Sequence, residues 1–352
     1  MSARPARVPV VGILANRAVV RPVIDPNNSR RVSQLAIVGP TASGKSDFAL
    51  QLARCLRDRR KIPVEIVSCD SVQVYRGFDI GSAKPSPAEM GEFPHHMIDV
   101  VTWRDEYDAG RYADEARMVL AAIKGRGAMP LIVGGTGLYL RALFGQGFDE
   151  NLPKDDDLRR ELESVPTPQL FAELHSVDPV RAAQLHPNDR VRILRAVELC
   201  RLTGGPVSPQ LIGPGGAAGQ ITPERAATLL VFLNPERAIL HERIARRCEA
   251  MIESGLVEEV RGLMTQGCPA TAKPMQAIGY REAATALDPG ADLGADSGAD
   301  SGLAQAITIA TRQYAKRQIT WFKGAGPDQT VTSLADYKSA IATLCAGEYE
   351  VG

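Results

Sequence analysis

The stretch Gly39-Pro40-Thr41-Ala42-Ser43-Gly44-Lys45-Ser46 matches Gly-x-x-x-x-Gly-Lys-Ser/Thr, the pattern of a loop that wraps around phosphate groups. Glycine lets the backbone approach an anion closely, and N–H groups at a helix N-terminus then point at phosphate oxygens. Lys45 adds a mobile positive charge, and Ser46 offers a hydroxyl to Mg²⁺. We therefore predict that residues 39–46 bind a phosphate-bearing ligand, nucleotides such as ATP included, with Mg²⁺ as cofactor and Ser46 as its ligand.

The sequence around this loop alternates strand and helix patterns. Leu35–Val38 before the loop is a short apolar run typical of a buried strand, and Asp47–Arg54 after it has the spacing of an amphipathic helix. Two further apolar runs, Val64–Ser68 and Leu131–Val133, flank a helical pattern over Ala109–Lys124. Short apolar strands joined by helical crossovers predict an α/β fold of the P-loop type, with a parallel sheet flanked by helices.

Ligands bind at the carboxyl ends of the strands in such sheets. The three strands end in polar or glycine-rich sequence at Gly39–Ser46, Cys69–Gln73 and Gly134–Thr136. Asp70 is predicted to lie near the phosphate loop as a general base or a partner of Mg²⁺ or its waters, although it could instead only cap the next turn. Thr136 is a candidate hydrogen-bond donor to a phosphate, with a tight turn as the alternative.

The domain organisation follows from where the strand pattern stops and resumes. Residues 35–147 form the first part of the predicted core, and helical patterns predict an all-helical insertion over 148–212. A fourth apolar run, Leu229–Leu233, and a long helix from Leu303 to about Phe322 return the chain to the core over 213–332. The repeat Gly294–Gly302 is interpreted as a solvated loop, and 333–352 as a tail without an informative pattern.

Composition narrows the class of protein. The 352 residues carry 41 basic and 41 acidic side chains, so any contact with nucleic acid must come from local basic patches. The six cysteines show no Cys-x-x-Cys pair and no regular spacing, which predicts reduced, mostly buried thiols and no disulfide framework or zinc site. No apolar run reaches membrane-spanning length, so we expect no membrane partner.

Residues 1–34 carry six arginines against one acid. Such a segment is typical of an Arg-rich transit peptide or of a disordered bacterial extension. Four prolines interrupt any long amphipathic helix, which favours the disordered extension.

Two local groups of cations are candidate ligand contacts. Arg243 and Arg247 lie four residues apart on a predicted helix, so they share a face that suits a diphosphate, unless it is simply a solvated basic face. The last long helix interleaves cations with aromatic residues, namely Arg312, Tyr314, Lys316, Arg317, Trp321 and Lys323. This mixture suits an RNA backbone and unstacked bases, although the aromatic residues could instead belong to the core.

Three functions are compatible with these features. A P-loop small-molecule kinase would pair the loop with an Asp at the next strand end. A GTPase-type switch is disfavoured because no Asn-Lys-x-Asp run, which reads the guanine base, occurs in the chain. A transferase would use the loop for a diphosphate that is not part of a nucleotide.

The chain resembles the tRNA dimethylallyltransferase (tRNA isopentenyltransferase) family of the bacterial type. Besides the loop, the resemblance rests on six blocks in the family's order: Ser68–Lys84, Pro94–Asp99, Pro130–Tyr139, Leu185–Glu198, Gln276–Arg281 and Thr311–Trp321. It implies transfer of a dimethylallyl group from dimethylallyl diphosphate to N6 of the adenosine beside the tRNA anticodon, with release of diphosphate. It also implies a cytoplasmic enzyme, and we expect a monomer.

The resemblance implies a role for each matching residue. The loop would hold the diphosphate, Asp70 would accept the proton from the attacking amine, and Thr136 and Arg243 would assist as further catalytic residues. The tRNA would contact four groups of residues: Asp70, Ser71, Val72 and Gln73; Val191, Arg192, Ile193, Leu194 and Arg195; Gln276, Ala277, Ile278, Gly279, Tyr280 and Arg281; and Lys316, Arg317, Gln318, Ile319, Thr320, Trp321, Phe322 and Lys323.

Overall fold

A parallel sheet forms the centre of the molecule. The computed structural model describes residues 32–145, 153, 155–208, 222–287 and 299–349. Within these ranges six parallel strands run in the order β3-β2-β4-β1-β5-β6. Their bounds are Gln34–Val38 (β1), Val64–Cys69 (β2), His95–His96 (β3), Met129–Gly134 (β4), Thr228–Leu233 (β5) and Gln329–Val331 (β6). The predicted parallel sheet is confirmed.

Helices connect the strands and cover both faces of the sheet. Their bounds are Lys45–Arg60 (α1), Pro87–Glu92 (α2), Ala109–Gly125 (α3), Gly137–Leu143 (α4), Asp156–Ser164 (α5), Thr167–Val177 (α6), Pro179–Ala183 (α7), Arg190–Thr203 (α8), Pro223–Ala226 (α9), Arg237–Glu253 (α10), Leu256–Thr265 (α11), Tyr280–Ala286 (α12), Ala299–Gly324 (α13) and Leu334–Ala346 (α14). A short 3₁₀ turn spans Lys273–Gln276.

The β1 strand is buried on both faces, which explains why its sequence is continuously apolar. Successive side chains of a strand point to opposite faces. Ala36 and Val38 therefore join the core cluster that includes residues of α3 and α13, whereas Leu35 and Ile37 join the cluster that includes residues of α1 and α14. This double burial fixes the strand that leads directly into the phosphate loop.

The helices α5 to α8 pack around a hydrophobic cluster of their own, which includes Leu162, Leu170, Leu174, Ile193 and Val197. They occupy the segment in which the sequence predicted helices without strands. The predicted limits of the insertion, at 147–148 and 212–213, lie outside the described residues, as do residues 1–31 of the predicted N-terminal extension.

Four segments differ from the sequence interpretation. The edge strands β3 and β6 have two and three residues, too few for a period-2 pattern to stand out. The C-terminal segment, which had no informative pattern, forms α14, and Ser333 and Asp336 cap its start reciprocally. Residues 299–302 of the expected solvated loop belong to α13, and 294–298 lie outside the described part.

The prediction that every cysteine is a reduced thiol is wrong for two of them. Cys55 on α1 and Cys345 on α14 form a disulfide across 290 residues of sequence, with their Cα atoms 6.0 Å apart. Residues so far apart in the chain give no spacing signal, because the fold alone brings them together. Cys69, Cys200, Cys248 and Cys268 are free and buried, as expected. No helix among the described residues is long and apolar enough to cross a membrane.

We predict that C345S, which opens this disulfide, lowers the free energy of unfolding in non-reducing buffer. Cross-linking distant residues restricts the unfolded chain, and losing such a link costs about 2–4 kcal/mol. Urea unfolding of the wild type and C345S, each with and without reductant, measures the difference, and the two proteins should unfold alike in reductant. Six reactive thiols in the unreduced, denatured wild type would contradict the prediction.

Candidate active site

The phosphate loop turns sharply at its end to start α1. Gly44 adopts a left-handed conformation with φ of 88°, which glycine tolerates without strain, and its carbonyl accepts the first helical hydrogen bond from the Phe48 N–H at 3.0 Å. Inside the loop, the Lys45 ammonium donates to the Pro40 carbonyl at 2.8 Å. The loop is therefore closed upon itself, with the N-terminus of α1 at its centre.

Gln318 of α13 joins the phosphate loop to the loop after β4. Its side-chain oxygen accepts from the Thr41 N–H at 2.9 Å, and its side-chain nitrogen donates to the Gly135 carbonyl at 2.8 Å. A Cβ at position 135 would lie 2.5 Å from that nitrogen, so only glycine allows this approach. Gln318 was predicted to contact tRNA, and the structure places it as a bridge between two strand-end loops.

Asp70 stands at the end of β2. One of its carboxylate oxygens accepts from the Val72 N–H at 2.9 Å and the Gln73 N–H at 3.3 Å. Asp70 therefore caps the turn, as the structural alternative predicted. The same residue also lines the cavity that contains the phosphate loop. Capping fixes the carboxylate in place and does not remove it from the site.

Thr136 braces the turn that follows Asp70. Its hydroxyl oxygen accepts from the Ser71 N–H at 3.0 Å, and its own N–H donates to the Cys69 carbonyl at 3.2 Å. The Thr136 hydroxyl also donates to the Ser71 hydroxyl at 3.4 Å, so its backbone N–H and its hydroxyl are both engaged with the neighbouring loop. The three strand-end loops form one connected edge.

A cavity of about 460 Å³ opens at this edge. It collects predicted residues from four distant parts of the chain: Thr41, Lys45 and Ser46; Asp70, Ser71, Val72 and Gln73; Gln276, Ala277, Ile278 and Arg281; and Arg317 and Gln318. Apolar side chains, among them Met251 and Ile307, line it as well. A single space therefore joins the phosphate loop to Asp70 and to part of the predicted tRNA surface.

Two cationic side chains that line the cavity, Lys45 and Arg247, are buried away from water. Burial and, to a smaller extent, the nearby Arg247 guanidinium lower the pKa of Lys45 to about 8, while Asp70 acts in the opposite direction. Burial also lowers the pKa of Arg247, against the attraction of Asp70. Burial, and then the charge of Asp70, raises the pKa of Tyr314 to about 12. An anion bound between Lys45 and Arg247 would offset the cost of burying both cations.

The two arginines predicted to share a helix face have different surroundings. Arg247 lines the cavity, whereas Arg243 donates to the Ser43 carbonyl at 3.2 Å. The sequence offered the pair as one candidate, and the family resemblance implied a catalytic role for Arg243 alone. The i, i+4 spacing was the available signal for Arg247, but spacing does not tell which member of a pair enters a cavity.

The remaining predicted tRNA contacts divide by exposure. Val191, Arg192, Lys316, Thr320 and Lys323 are exposed, whereas Ile193, Leu194, Gly279, Tyr280 and Phe322 are buried. Arg195 pairs with the buried Glu198 at 3.0 Å, and Ile319 packs against the main core. Trp321 packs so closely over Gly137 that a Cβ there would lie 2.5 Å from its ring. The exposed residues are those whose side chains are available to a partner.

The residues around the loop fit Mg²⁺. Ser46 and Asp70 line the same cavity and offer a hydroxyl and a carboxylate oxygen, the ligand type that Mg²⁺ prefers. No group of three or more His, Cys, Asp or Glu side chains that could hold a metal occurs in the described part of the chain. The two oxygen donors, Ser46 and Asp70, suit Mg²⁺, which usually takes one or two protein ligands and completes its shell with phosphate oxygens and water.

Comparison with known proteins identifies relatives along most of the chain. Residues 73–325 match the family model described as IPP transferase, and residues 32–100 match one described as isopentenyl transferase. A tRNA dimethylallyltransferase of Ralstonia nicotianae is 43% identical over 324 residues, covering 90% of this chain and 96% of the relative. Another, from Methylibium petroleiphilum, is 44% identical over 318 residues, covering 89% and 93%.

Solved structures agree with these matches. A tRNA isopentenylpyrophosphate transferase of Bacillus halodurans is 33% identical, with a TM-score of 0.59, and the match covers 89% of this chain and 97% of that one. A eukaryotic dimethylallyltransferase, described as acting on tRNA, is 26% identical with a TM-score of 0.70, over 86% and 74% of the two chains. The parallel sheet and its neighbours define an α/β protein of the P-loop type. More particularly, the chain belongs to the IPP transferase family.

The lowered pKa of Lys45 predicts how affinity for a diphosphate ester depends on pH. Such a ligand is fully ionised above about pH 7, so its own charge does not change there. Lys45 is charged below its pKa of about 8, and a bound anion stabilises that charge. The dissociation constant should therefore rise as pH rises above 8, by at most about tenfold per unit.

Titration of the protein with dimethylallyl diphosphate and Mg²⁺ between pH 7 and pH 9.5 measures this dependence. K45R is the matched control, because arginine keeps its charge over the whole range. Any affinity that K45R retains should be independent of pH. A flat profile for the wild type would contradict the assignment of Lys45 to the anion.

Proposed function

We propose that this protein is a tRNA dimethylallyltransferase. It transfers a dimethylallyl group from dimethylallyl diphosphate to N6 of adenosine-37, beside the tRNA anticodon, and releases diphosphate. The observation that carries the proposal is the single cavity in which the phosphate loop, Asp70 and residues of three predicted tRNA-contacting blocks meet. Family membership over most of the chain supports the same activity. We further propose that the protein acts as a monomer in the cytoplasm.

The reaction needs the leaving group to be stabilised. As the C1–O bond of the donor breaks, its electron pair stays on the diphosphate, whose growing charge is met by Lys45, Arg247 and the N–H groups of the loop. When bound at Ser46, Mg²⁺ would neutralise part of the same charge. The buried cations serve the departing anion better than they would in water, because the cavity screens their charges less.

The reaction also needs a nucleophile. An adenine amine is weak, so its N6 must lose a proton as it bonds to C1 of the donor. We assign Asp70 as the group that accepts this proton, since its carboxylate is held by its turn and lines the cavity that contains Lys45. The adenine must leave the stack of the anticodon loop to reach Asp70, at a cost of a few kcal/mol. The turn at Ser71, Val72 and Gln73 borders the place where it would enter.

The RNA would approach along exposed cations near the cavity. Arg281 and Arg317 line its wall, and Lys316 and Lys323 are exposed on α13. Arg317 lies over the Tyr314 ring, 5.7 Å from its centroid, which leaves a flat guanidinium beside the cavity. Because the chain has no net charge, such local patches would have to supply the attraction for RNA.

Incubation with labelled dimethylallyl diphosphate, Mg²⁺ and unmodified tRNA tests the proposal. Label in the RNA, recovered as N6-dimethylallyladenosine after digestion, is the expected result. A parallel reaction with ATP and small-molecule acceptors tests the kinase alternative. Phosphate transfer from ATP without label in the RNA would contradict the proposal.

We predict that D70N lowers turnover by roughly 10²–10⁴-fold, the usual worth of general acid–base catalysis. Asparagine keeps a side-chain oxygen for the Val72 and Gln73 N–H groups but cannot take up the proton. Single-turnover rates together with tRNA affinity measure the effect, and the affinity should stay near that of the wild type. D70A loses the cap as well and serves as the comparison. Full activity of D70N would exclude Asp70 as the base.

A second prediction concerns salt. The tRNA affinity of K316A and K323A should depend less steeply on salt than that of the wild type, with the logarithmic slope smaller by about 1 for each phosphate contact removed. Filter binding over a range of KCl concentrations measures the slope. K338A is the matched control, since it removes the same charge from an exposed site on α14. Slopes that match the wild type would place the RNA elsewhere.

A further inference from the structure

One carbonyl of the phosphate loop receives hydrogen bonds from two distant parts of the chain. The Tyr337 hydroxyl of α14 donates to the Ser43 carbonyl at 2.7 Å, and the Arg243 guanidinium of α10 donates to the same oxygen at 3.2 Å. Both lone pairs of that oxygen are therefore occupied. Tyr337 lies outside the residues that the family models match and outside every block on which the resemblance rests.

The direction of this carbonyl determines the direction of an N–H group in the loop. In a planar trans peptide, the C=O of one residue and the N–H of the next point to opposite sides. Tyr337 and Arg243 do not line the cavity, whereas Thr41, Lys45 and Ser46 do. Holding the Ser43 oxygen on the outer side therefore turns the Gly44 N–H toward the side on which a phosphate would bind.

The peptide between Ser43 and Gly44 needs the two hydrogen bonds to the Ser43 carbonyl to fix its orientation. The φ of 88° at Gly44 and its lack of a side chain leave the peptide before it free to rotate unless something holds it. Any Cβ at Gly44 would lie 3.4 Å from the Arg243 guanidinium and 3.7 Å from the Tyr337 ring. The two side chains therefore cover the outer face of this peptide and restrict it to one orientation.

The position of Tyr337 is itself fixed against α1. Its ring packs edge-on against Phe48, with centroids 5.6 Å apart. At the other end of α1, the Arg60 side chain donates to the Cys345 and Gly347 carbonyls at 3.0 and 2.8 Å, and Cys55 bonds to Cys345. The helix α1, which begins in the phosphate loop, thus also packs against α14, the helix whose Tyr337 binds the loop from the outer side.

We propose that Tyr337 is a positioning residue for the phosphate loop. Its hydroxyl, together with Arg243, holds the Ser43 carbonyl so that the Gly44 N–H is preorganised to bind the diphosphate group. The inference rests on the proposed function and extends it to the C-terminal helix. A donor that is already aimed does not have to be ordered when the ligand binds, and this preorganisation increases affinity.

The test compares Y337F with the wild type, using inorganic diphosphate and Mg²⁺ as the probe. Phenylalanine keeps the contact with Phe48 and removes only the hydroxyl. Titration calorimetry should show diphosphate binding weakened by about 3- to 10-fold, the effect of one hydrogen bond, with tRNA affinity unchanged. In kinetics, kcat/KM for the prenyl donor should fall by the same factor while KM for tRNA stays constant.

Y349F is the matched control. Tyr349 lies in the same C-terminal segment, but its hydroxyl donates to the Leu344 carbonyl and not to the loop. It should bind diphosphate as the wild type does. Thermal unfolding of both variants separates packing from positioning, because a purely structural tyrosine would lower the melting temperature without changing the affinity of the folded protein.

Three outcomes decide the inference. Weaker diphosphate binding by Y337F, with wild-type binding by Y349F, supports it. Equal affinity of Y337F and the wild type overturns it and leaves the proposed function intact. A wild-type protein that binds no diphosphate at all would contradict the proposed function and, with it, the role of Tyr337.

Discussion

The electrostatic constraint at this site is the burial of two cations, Lys45 and Arg247, beside the phosphate loop. Both have lowered pKa values because they have lost water, and Asp70 offsets only part of that loss. Such an arrangement is unfavourable for a protein by itself and favourable for one that binds an anion. Lys45 is held within the phosphate loop by its hydrogen bond to the Pro40 carbonyl, and Gln318 joins that loop to the loop after β4.

The same constraint links the two halves of the proposed reaction. A site that holds a diphosphate strongly must release it after transfer, and Lys45 gives it a charge that depends on pH near the physiological range. Asp70 lines the same cavity and lies close enough to Lys45 and Arg247 to shift their pKa values. The cations that bind the leaving diphosphate and the Asp70 carboxylate are therefore coupled by electrostatics as well as by geometry. A substitution of one of these residues is expected to change the pKa of the others.

Local patterns allowed much of this structure to be predicted. The loop motif, the buried strand before it and the helix after it are encoded in consecutive residues. The parallel sheet was predicted from these and from two further apolar runs, and the family from the loop together with six further blocks of sequence. What the sequence did not indicate are contacts between segments far apart in the chain. Tyr337 is 294 residues from the Ser43 carbonyl that it binds, and the two cysteines of the disulfide are 290 residues apart. The separate environments of Arg243 and Arg247 likewise depend on tertiary packing.

The most direct measurement is a crystal structure with an unreactive thio analogue of dimethylallyl diphosphate, Mg²⁺ and an anticodon stem-loop. We expect the diphosphate on the loop between Lys45 and Arg247, with the N6 amine of the extruded adenine about 3 Å from the Asp70 carboxylate. A diphosphate bound away from the loop, or an adenine whose amine faces away from Asp70, would contradict this expectation.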